Sequence, residues 1–235
     1  MSSTAPRYDS RKESPRTPTI SHETEEYLEA IYRLEEERGF ARTSELASEL
    51  KVVPGSVTNT VENLERRGLI VHEPYRGVKL SEEGRKIALD VVRRHRLSER
   101  LLTDILRIHW SQVHDAACKL EHAIAEDVIK PLERALGHPK TCPHGNPIPS
   151  ESGEVVEAES EPLTNLSPGE SGTIVKVVDE RRDLLQYLAT LGLVPGVLIE
   201  VREKSSLNDP ILVRATGASY ALGRNVASVV RVRKS

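Results

Sequence analysis

The stretch HDAACKLEH, residues 114–122, concentrates side chains that can bind a divalent cation. At about 3.6 residues per turn, one stripe of a single predicted helix carries His114, Cys118, Glu121 and His122. A second chelating pair, His95 and Glu99, is spaced one helical turn apart. Imidazole, thiolate and carboxylate together suit Fe(II), Mn(II), Co(II), Ni(II) or Zn(II). If the two helices face each other, we expect them to hold a transition metal.

Hydrophobic periodicity predicts the elements that position these groups. Residues 20–80 contain two short helices joined by a tight turn and followed by a β-hairpin, a pattern typical of a winged helix-turn-helix. Residues 81–140 are predicted to be helical without intervening strands, and such helices usually bundle or dimerise. The fold class is therefore predicted to be mainly α with a small β component.

The remaining segments differ in composition. Residues 1–19 are polar and contain several prolines, which predicts a disordered tail. Residues 141–162 combine proline with glutamate and predict an acidic, poorly ordered linker. Residues 163–235 contain short β-rich runs with one helical stretch, Leu184–Leu191, and predict a small SH3-like barrel.

Composition limits the function classes. The formal net charge is -3, so any DNA binding must come from a local basic surface rather than from the whole molecule. The sequence shows neither a membrane-spanning apolar run nor an apolar leader, which predicts a protein that does not act at a membrane. Two cysteines are too few for a disulfide framework and favour a reduced, cytoplasmic setting.

The second helix of the helix-turn-helix begins near Pro54 and has a polar N-terminal end. Asn can pair with adenine, Ser and Thr can contact bases or phosphates, and the basic residues of the hairpin can contact phosphate. The predicted DNA-binding residues are Thr43, Ser44, Ser56, Thr58, Asn59, Thr60, Arg76 and Lys79. Small polar residues at a helix start can equally be ordinary caps. So few contacts predict a dimer that reads two half-sites of a palindromic operator in double-stranded DNA.

Six segments occur in a characteristic order: TEEYLEAIYRLEEE, RTSELASELKVVPGSVTNTVENLERRGLI, YRGVKLSEEGRKIA, RHRLSERLL, VHDAACKLEH and HGNPIP. On these motifs the chain resembles the diphtheria toxin repressor family of metal-dependent transcriptional regulators. The resemblance covers nearly everything from Ser21 onward, including the SH3-like domain, which in this family is of the FeoA type. It implies a homodimeric repressor of metal homeostasis that Mn(II) or Fe(II) activates for operator binding.

The resemblance also implies two metal sites. The first would comprise Glu26, Cys118, Glu121 and His122. The second would comprise His95, Glu99 and His114 and be completed by acidic residues of the last domain, for which the candidates are Glu180 and Asp183. Glu29, one turn after Glu26, is a further candidate ligand.

The nature of the ion follows from the donors. Carboxylates at positions 26 and 29 resemble the manganese-type members, whereas Cys118 resembles the iron-type members. Hard oxygen ligands suit Mn(II) and a thiolate favours softer ions, so we slightly favour Mn(II) over Fe(II). Co(II), Ni(II), Zn(II) and Cd(II) are expected to act as surrogates.

Two other functions remain open on the residues alone. The chain could be a winged-helix regulator that senses an organic ligand, with the His/Glu stripe as an ordinary polar network. It could also be a metal hydrolase that uses Glu99 or Glu121 as a general base, although the sequence has no phosphate loop or nucleophile elbow. Cys142-Pro-His144 is interpreted as a structural turn rather than a metal pair.

Overall fold

The computed structural model describes residues 20–204 and 210–235. The predicted tail, residues 1–19, lies outside the described residues. The predicted fold class is confirmed, because a helical N-terminal half leads into a C-terminal antiparallel sheet. Within the two described ranges, every helix is too short or too polar to cross a bilayer.

The N-terminal unit is a winged helix-turn-helix. Its elements are α1 (His22–Arg38), α2 (Thr43–Glu49), α3 (Pro54–Arg66), β1 (Ile70–Glu73) and β2 (Gly77–Leu80). The side chain of Ser21 caps α1 by accepting a hydrogen bond from the Thr24 amide. Gly39 ends α1 in the left-handed conformation with φ 81°. Strands β1 and β2 pair antiparallel and form the wing.

The helical middle of the chain carries the predicted ligands. Its elements are α4 (Glu82–Arg100), a π-helical turn (Leu101–Ile105), a 3-10 turn (Trp110–Gln112), α5 (His114–Leu120) and α6 (Glu126–Ala135). Helix α4 packs against both α1 and α5. Because α5 ends at Leu120, Glu121 and His122 lie in the turn that follows rather than on the single helix predicted from the sequence.

The C-terminal unit is a six-stranded antiparallel sheet with the strand order β3-β8-β4-β5-β6-β7. Its elements are β3 (Glu161–Pro162), a 3-10 turn (Leu163–Asn165), β4 (Ser171–Val177), α7 (Arg182–Thr190), β5 (Leu198–Lys204), β6 (Ile211–Ala215), β7 (Ala218–Leu222), α8 (Arg224–Val229) and β8 (Val230–Lys234). Alternate strand residues and one face of α7 bury an aliphatic core. Each β-rich run of the sequence therefore became a strand, and the one helical stretch became α7.

Residues 141–150 differ from the poorly ordered linker that composition predicted. Two arginines of α4 fix their backbone, because Arg93 donates to the Pro149 carbonyl and Arg96 donates to the Pro147 carbonyl. Ile148 is buried beside Leu97 of α4. Prolines interrupt regular strand pairing here, and side chains of α4 satisfy the Pro147 and Pro149 carbonyl groups instead.

The start of α4 packs too closely against the wing for any side chain at Gly84. A Cβ built there would lie 1.9 Å from the Leu69 carbonyl oxygen. Gly84→Ala is therefore expected to lower the free energy of unfolding by about 1–3 kcal/mol, because backbone must move. Gly55→Ala is the matched control, since a Cβ at this helical position would meet nothing within 4 Å. Denaturant unfolding measures both, and equal stabilities for the two variants would contradict the expectation.

Candidate metal centre and DNA interface

Helix α4 supplies the central pair of the site, His95 and Glu99. Both side chains are almost completely buried, and they meet because residues four apart share one face of a helix. His95 Nε2 lies 3.2 Å from Glu99 Oε1, and His95 Nδ1 lies 2.5 Å from Glu121 Oε2. The imidazole of His95 therefore stands between two buried carboxylates.

Helix α5 adds an imidazole and a thiol from the other side. The same one-turn spacing brings Cys118 Sγ to 3.8 Å from His114 Nε2. Cys118 Sγ also lies 3.9 Å from His95 Nδ1 on α4. The predicted approach of the two ligand-bearing helices is therefore present in the structure.

The C-terminal domain contributes Glu180, which lies between β4 and α7. Glu180 Oε2 lies 3.0 Å from His114 Nδ1 and 3.9 Å from His95 Nε2. Asn146 donates a hydrogen bond of 2.7 Å to the other carboxylate oxygen of Glu180 and so orients it. The second acidic candidate, Asp183, needs correction. Its side chain is 79% exposed on the first turn of α7 and points to Arg181 instead.

Cys142 and His144 also belong to this cluster, which the sequence interpretation as a simple turn missed. His144 Nδ1 lies 3.2 Å from Glu99 Oε1 and 3.8 Å from Cys142 Sγ. The other ring nitrogen, Nε2, lies 2.8 Å from the Trp110 carbonyl oxygen, to which it can donate. A metal-binding histidine commonly has this arrangement, with one nitrogen facing the site and the other held by a carbonyl. The only signal in the sequence was the Cys-x-His spacing.

Four overlapping groups of donors satisfy the distances that one ion requires. Within each group the donor atoms lie within 4.8 Å of one another. The groups are His95/His114/Cys118, His95/Glu99/His114/Glu180, Glu99/Cys142/His144/Glu180 and Glu29/His95/Glu121. Because His95 belongs to three of them, it is the centre of the cluster.

Helix α1 approaches the cluster with Glu29, the further candidate named from the sequence, and with Glu25, rather than with Glu26. Glu29 is buried near His95 and Glu121, as a ligand candidate should be. Glu25 lies 2.6 Å from His122 Nδ1. The structure does not bring Glu26 there: it lies about 100° further around α1, is exposed, and among the described residues has no ion-pair or hydrogen-bond partner.

The charges within the cluster lower the pKa values of Glu99 and Glu180 and raise those of His95, His114 and His144. Burial by itself lowers the pKa of His114, but polar contacts with Cys118, Glu180 and Glu99 outweigh it and raise the pKa to about 11. Burial works against the charged forms of Glu99 and Glu180 as well, yet neighbouring imidazoles hold both pKa values well below the usual range. Burial also raises the pKa of the Cys118 thiol, but His114 and His95 outweigh it and lower the pKa overall.

Several buried ligand atoms form no well-aligned hydrogen bond, although His114 Nδ1 lies 3.0 Å from Glu180 Oε2 and His122 Nε2 lies 3.2 Å from Glu121 Oε1. Such atoms are costly to bury unless something else binds them. Within the described residues these atoms include Glu99 Oε2, Glu180 Oε2, His114 Nδ1 and His122 Nε2. Each belongs to a predicted ligand, and an imidazole nitrogen can bind an ion once it has lost its proton. The residues therefore fit a divalent cation, because an ion would satisfy the atoms that the protein does not.

The predicted DNA-binding side chains lie on the surface of the winged helix-turn-helix. All eight are exposed or half-exposed, on α2, on the N-terminal half of α3 and on the wing. Thr58 donates a hydrogen bond to the Pro54 carbonyl within its own helix. Lys79 forms an ion pair of 3.6 Å with Glu73 across the wing. Asn59 is exposed and stands on the first turns of α3, where a recognition helix meets base edges.

Three family models match successive parts of the chain. They describe an iron-dependent repressor N-terminal DNA-binding domain at residues 19–78, an iron-dependent repressor metal-binding and dimerisation domain at residues 81–150, and a FeoA domain at residues 161–234.

Whole-length comparisons agree with these matches. The iron-dependent repressor IdeR of Mycobacterium leprae is 35% identical over 223 residues, which is 90% of this chain and 96% of the relative. A solved manganese-dependent transcriptional repressor in complex with manganese is similar with a TM-score of 0.84, at 30% identity, over 90% of this chain and 100% of that one. The structure of ScaR with bound Cd2+ is similar with a TM-score of 0.80, at 27% identity, over 90% and 99% of the two chains.

Proposed function

Because the chain belongs to the iron-dependent repressor family and is a metal-dependent, DNA-binding transcriptional repressor of metal homeostasis, we propose that the cluster around His95 is its sensor. The single observation that carries this proposal is the convergence of His, Cys and Glu donor atoms around His95, where the atoms of each group lie within 4.8 Å of one another. On this proposal the protein acts as a regulator in the cytoplasm rather than as an enzyme.

The proposed ligands form two sites that share His95. The inner site uses His95, Glu99, His114 and Glu180, and Cys142 and His144 adjoin it through Glu99. The site nearer α1 uses Cys118, Glu121 and His122, the shared His95, and a carboxylate from α1. The position of Glu29 close to His95 and Glu121 supports Glu29 as this carboxylate. Glu26 remains a predicted ligand. To bind an ion there, it must replace Glu25 beside His122, which requires α1 to rotate about its axis.

The proposed switch acts through α1, which belongs to the DNA-reading domain. An ion held by both α1 and the turn after α5 fixes the reading domain relative to the helical domain. Such a ligand shifts the population only if it binds the DNA-competent arrangement more tightly. Moving from mostly inactive to mostly active requires roughly 5 kcal/mol of differential affinity, which several metal–ligand bonds can supply.

The donor set supports Mn(II) or Fe(II) as the activating ion. Four buried or half-buried carboxylates favour a hard ion, namely Glu29, Glu99, Glu121 and Glu180. The thiol of Cys118 favours a softer one. When bound, the ion supplies charge neutralisation and a fixed coordination geometry. No organic ligand or hydrolytic substrate is needed to explain these donors.

Selection from a random pool of duplex DNA tests the function as a whole. With Mn(II) or Fe(II) present, we expect the protein to enrich palindromic sequences, because a dimer presents two copies of α3. A chelator is expected to abolish retention of the enriched sequences. Enrichment that is equal with and without metal would contradict the proposed switch, and enrichment of single half-sites would contradict the dimeric operator.

A matched pair of variants on α3 tests the reading residues. Asn59→Ala is expected to weaken binding to the enriched sequence about tenfold or more, since a base contact of this type contributes about 1–3 kcal/mol. Asn63→Ala removes the same side chain one turn later, away from the end of α3 that meets base edges. It is expected to bind within about twofold of the unaltered protein. Equal losses for both variants would argue against base reading by Asn59.

A further inference from the structure

Arg33 on α1 contacts two carboxylates that belong to different parts of the metal cluster. Its guanidinium donates a hydrogen bond of 2.7 Å to Glu29 one turn earlier on the same helix. It also lies 3.9 Å from Glu180 Oε2 of the C-terminal domain. Both carboxylate side chains are less than one-tenth exposed, whereas one-third of the Arg33 side chain reaches solvent.

The two contacts of Arg33 connect groups that an ion would use separately. Glu29 belongs to the group with His95 and Glu121, and Glu180 belongs to the groups with Glu99. Glu180 Oε2 has no hydrogen bond among the described residues, so Arg33 neutralises part of its charge without satisfying its lone pairs. The guanidinium is therefore a fixed internal cation at the rim of a site for cations.

The surrounding negative charges keep the Arg33 guanidinium protonated. Burial by itself lowers its pKa, but Glu29, Glu180 and Cys118 outweigh that effect and raise it. A guanidinium stays protonated in proteins at all ordinary pH values, so its charge cannot be switched off. It also connects the first helix of the DNA-reading domain directly to the C-terminal sheet domain.

We propose that Arg33 sets the metal concentration at which the repressor responds, by competing with the incoming ion for Glu29 and Glu180. This inference rests on the proposed function of the cluster as the metal sensor. Without metal, Arg33 neutralises the two carboxylates. An incoming ion must replace Arg33 as the partner of these carboxylates, and the nearby guanidinium repels it. Both effects lower the affinity of the site for the ion. Arg33 is a positioning residue, since its side chain has no lone pair to offer a metal.

Direct titration of the full-length protein with Mn(II), followed by competition with a fluorescent chelator, tests the proposal. Arg33→Gln removes the charge and keeps a hydrogen-bond donor for Glu29. We expect it to bind Mn(II) about tenfold more tightly, which corresponds to ~1.4 kcal/mol. The Mn(II) concentration at which DNA binding begins is expected to fall by the same factor.

Two control variants separate charge at the site from charge in general. Arg33→Lys keeps the positive charge and is expected to bind Mn(II) within about threefold of the unaltered protein. Arg38→Gln removes the same charge from the end of α1, where Arg38 pairs with Glu37 and Glu45 away from the cluster. It is expected to leave Mn(II) affinity unchanged.

The outcomes distinguish this proposal from the proposed function. If the unaltered protein binds Mn(II) and Arg33→Gln binds it with the same or lower affinity, the proposed role of Arg33 is overturned and the sensor remains supported. An unaltered protein that takes up neither Mn(II) nor Fe(II) would overturn both. A gain in Arg38→Gln equal to that in Arg33→Gln would show a general charge effect and also overturn the proposal.

Discussion

The Mn(II) affinity of this protein is expected to fall about a hundredfold for each unit of pH below about 8, because two imidazoles must lose protons before they can bind. In the metal-free protein, contacts with Cys118, Glu180 and Glu99 outweigh burial and raise the pKa of His114 to about 11. The carboxylate of Glu99 and contacts with Cys118 and Glu121 likewise outweigh burial and raise the pKa of His95 well above its usual value.

The sign of this effect follows from proton linkage. Both imidazoles are charged in the metal-free protein throughout the neutral range, so protons compete with the ion more strongly as the pH falls. Glu99 and Glu180 add little to the dependence, since their pKa values are held well below the usual range and these two groups are already ionised. Weakly acidic conditions are therefore expected to release metal and, with it, DNA.

Calorimetric titration in two buffers of different ionisation enthalpy measures the number of protons released per ion. We expect about two, one from each imidazole. Release of no protons, together with an affinity that is flat between about pH 6.5 and 8, would contradict the protonated state assigned to these histidines.

His95→Gln is expected to lower the Mn(II) affinity by about a hundredfold or more, to the point at which DNA binding no longer responds to metal. The reason is that His95 belongs to three of the four donor groups, whereas each other residue belongs to fewer. Gln keeps a polar side chain of similar reach beside Glu99 and Glu121, which limits the cost of leaving two buried carboxylates without a partner.

The matched control for this variant is His138→Asn. His138 is exposed after α6 and has a positive φ of 55°, a conformation that Asn tolerates. It is expected to bind metal and DNA as the unaltered protein does. Circular dichroism establishes whether His95→Gln is folded. A folded His95→Gln protein with unchanged Mn(II) affinity would remove His95 from the sensor and with it the idea of two sites that share a ligand.

Much of the fold was predictable because its signals are local. Helical spacing brought His95 to Glu99 and His114 to Cys118, since residues four apart share a helix face in any surroundings. Alternating apolar runs in the last seventy residues became the strands of the sheet. The resemblance in the helix-turn-helix and metal-ligand motifs agrees with the family established by comparison.

Local signals were less reliable at the ends of elements. The stripe through His122 predicted one continuous helix, but α5 stops at Leu120 and a turn carries the last two donors. A difference of one position on α1 moved Glu26 to the surface and Glu25 to His122. Neighbouring carboxylates look equivalent in a sequence, and only the rotation of the helix against its packing partner distinguishes them.

The sequence by itself determined which helices carry donors and predicted which helix end reads DNA, because periodicity and capping act within a few residues. Only the tertiary structure decided which distant residues complete the cluster. It selected Glu180 over Asp183, the two candidates that the resemblance had offered from the C-terminal domain, and it added Cys142 and His144 from a segment that composition assigned to a linker. Arg33 became an internal cation only because that domain docks against α1. Such contacts join residues far apart in the chain, so their energy depends on how whole domains pack rather than on any local pattern.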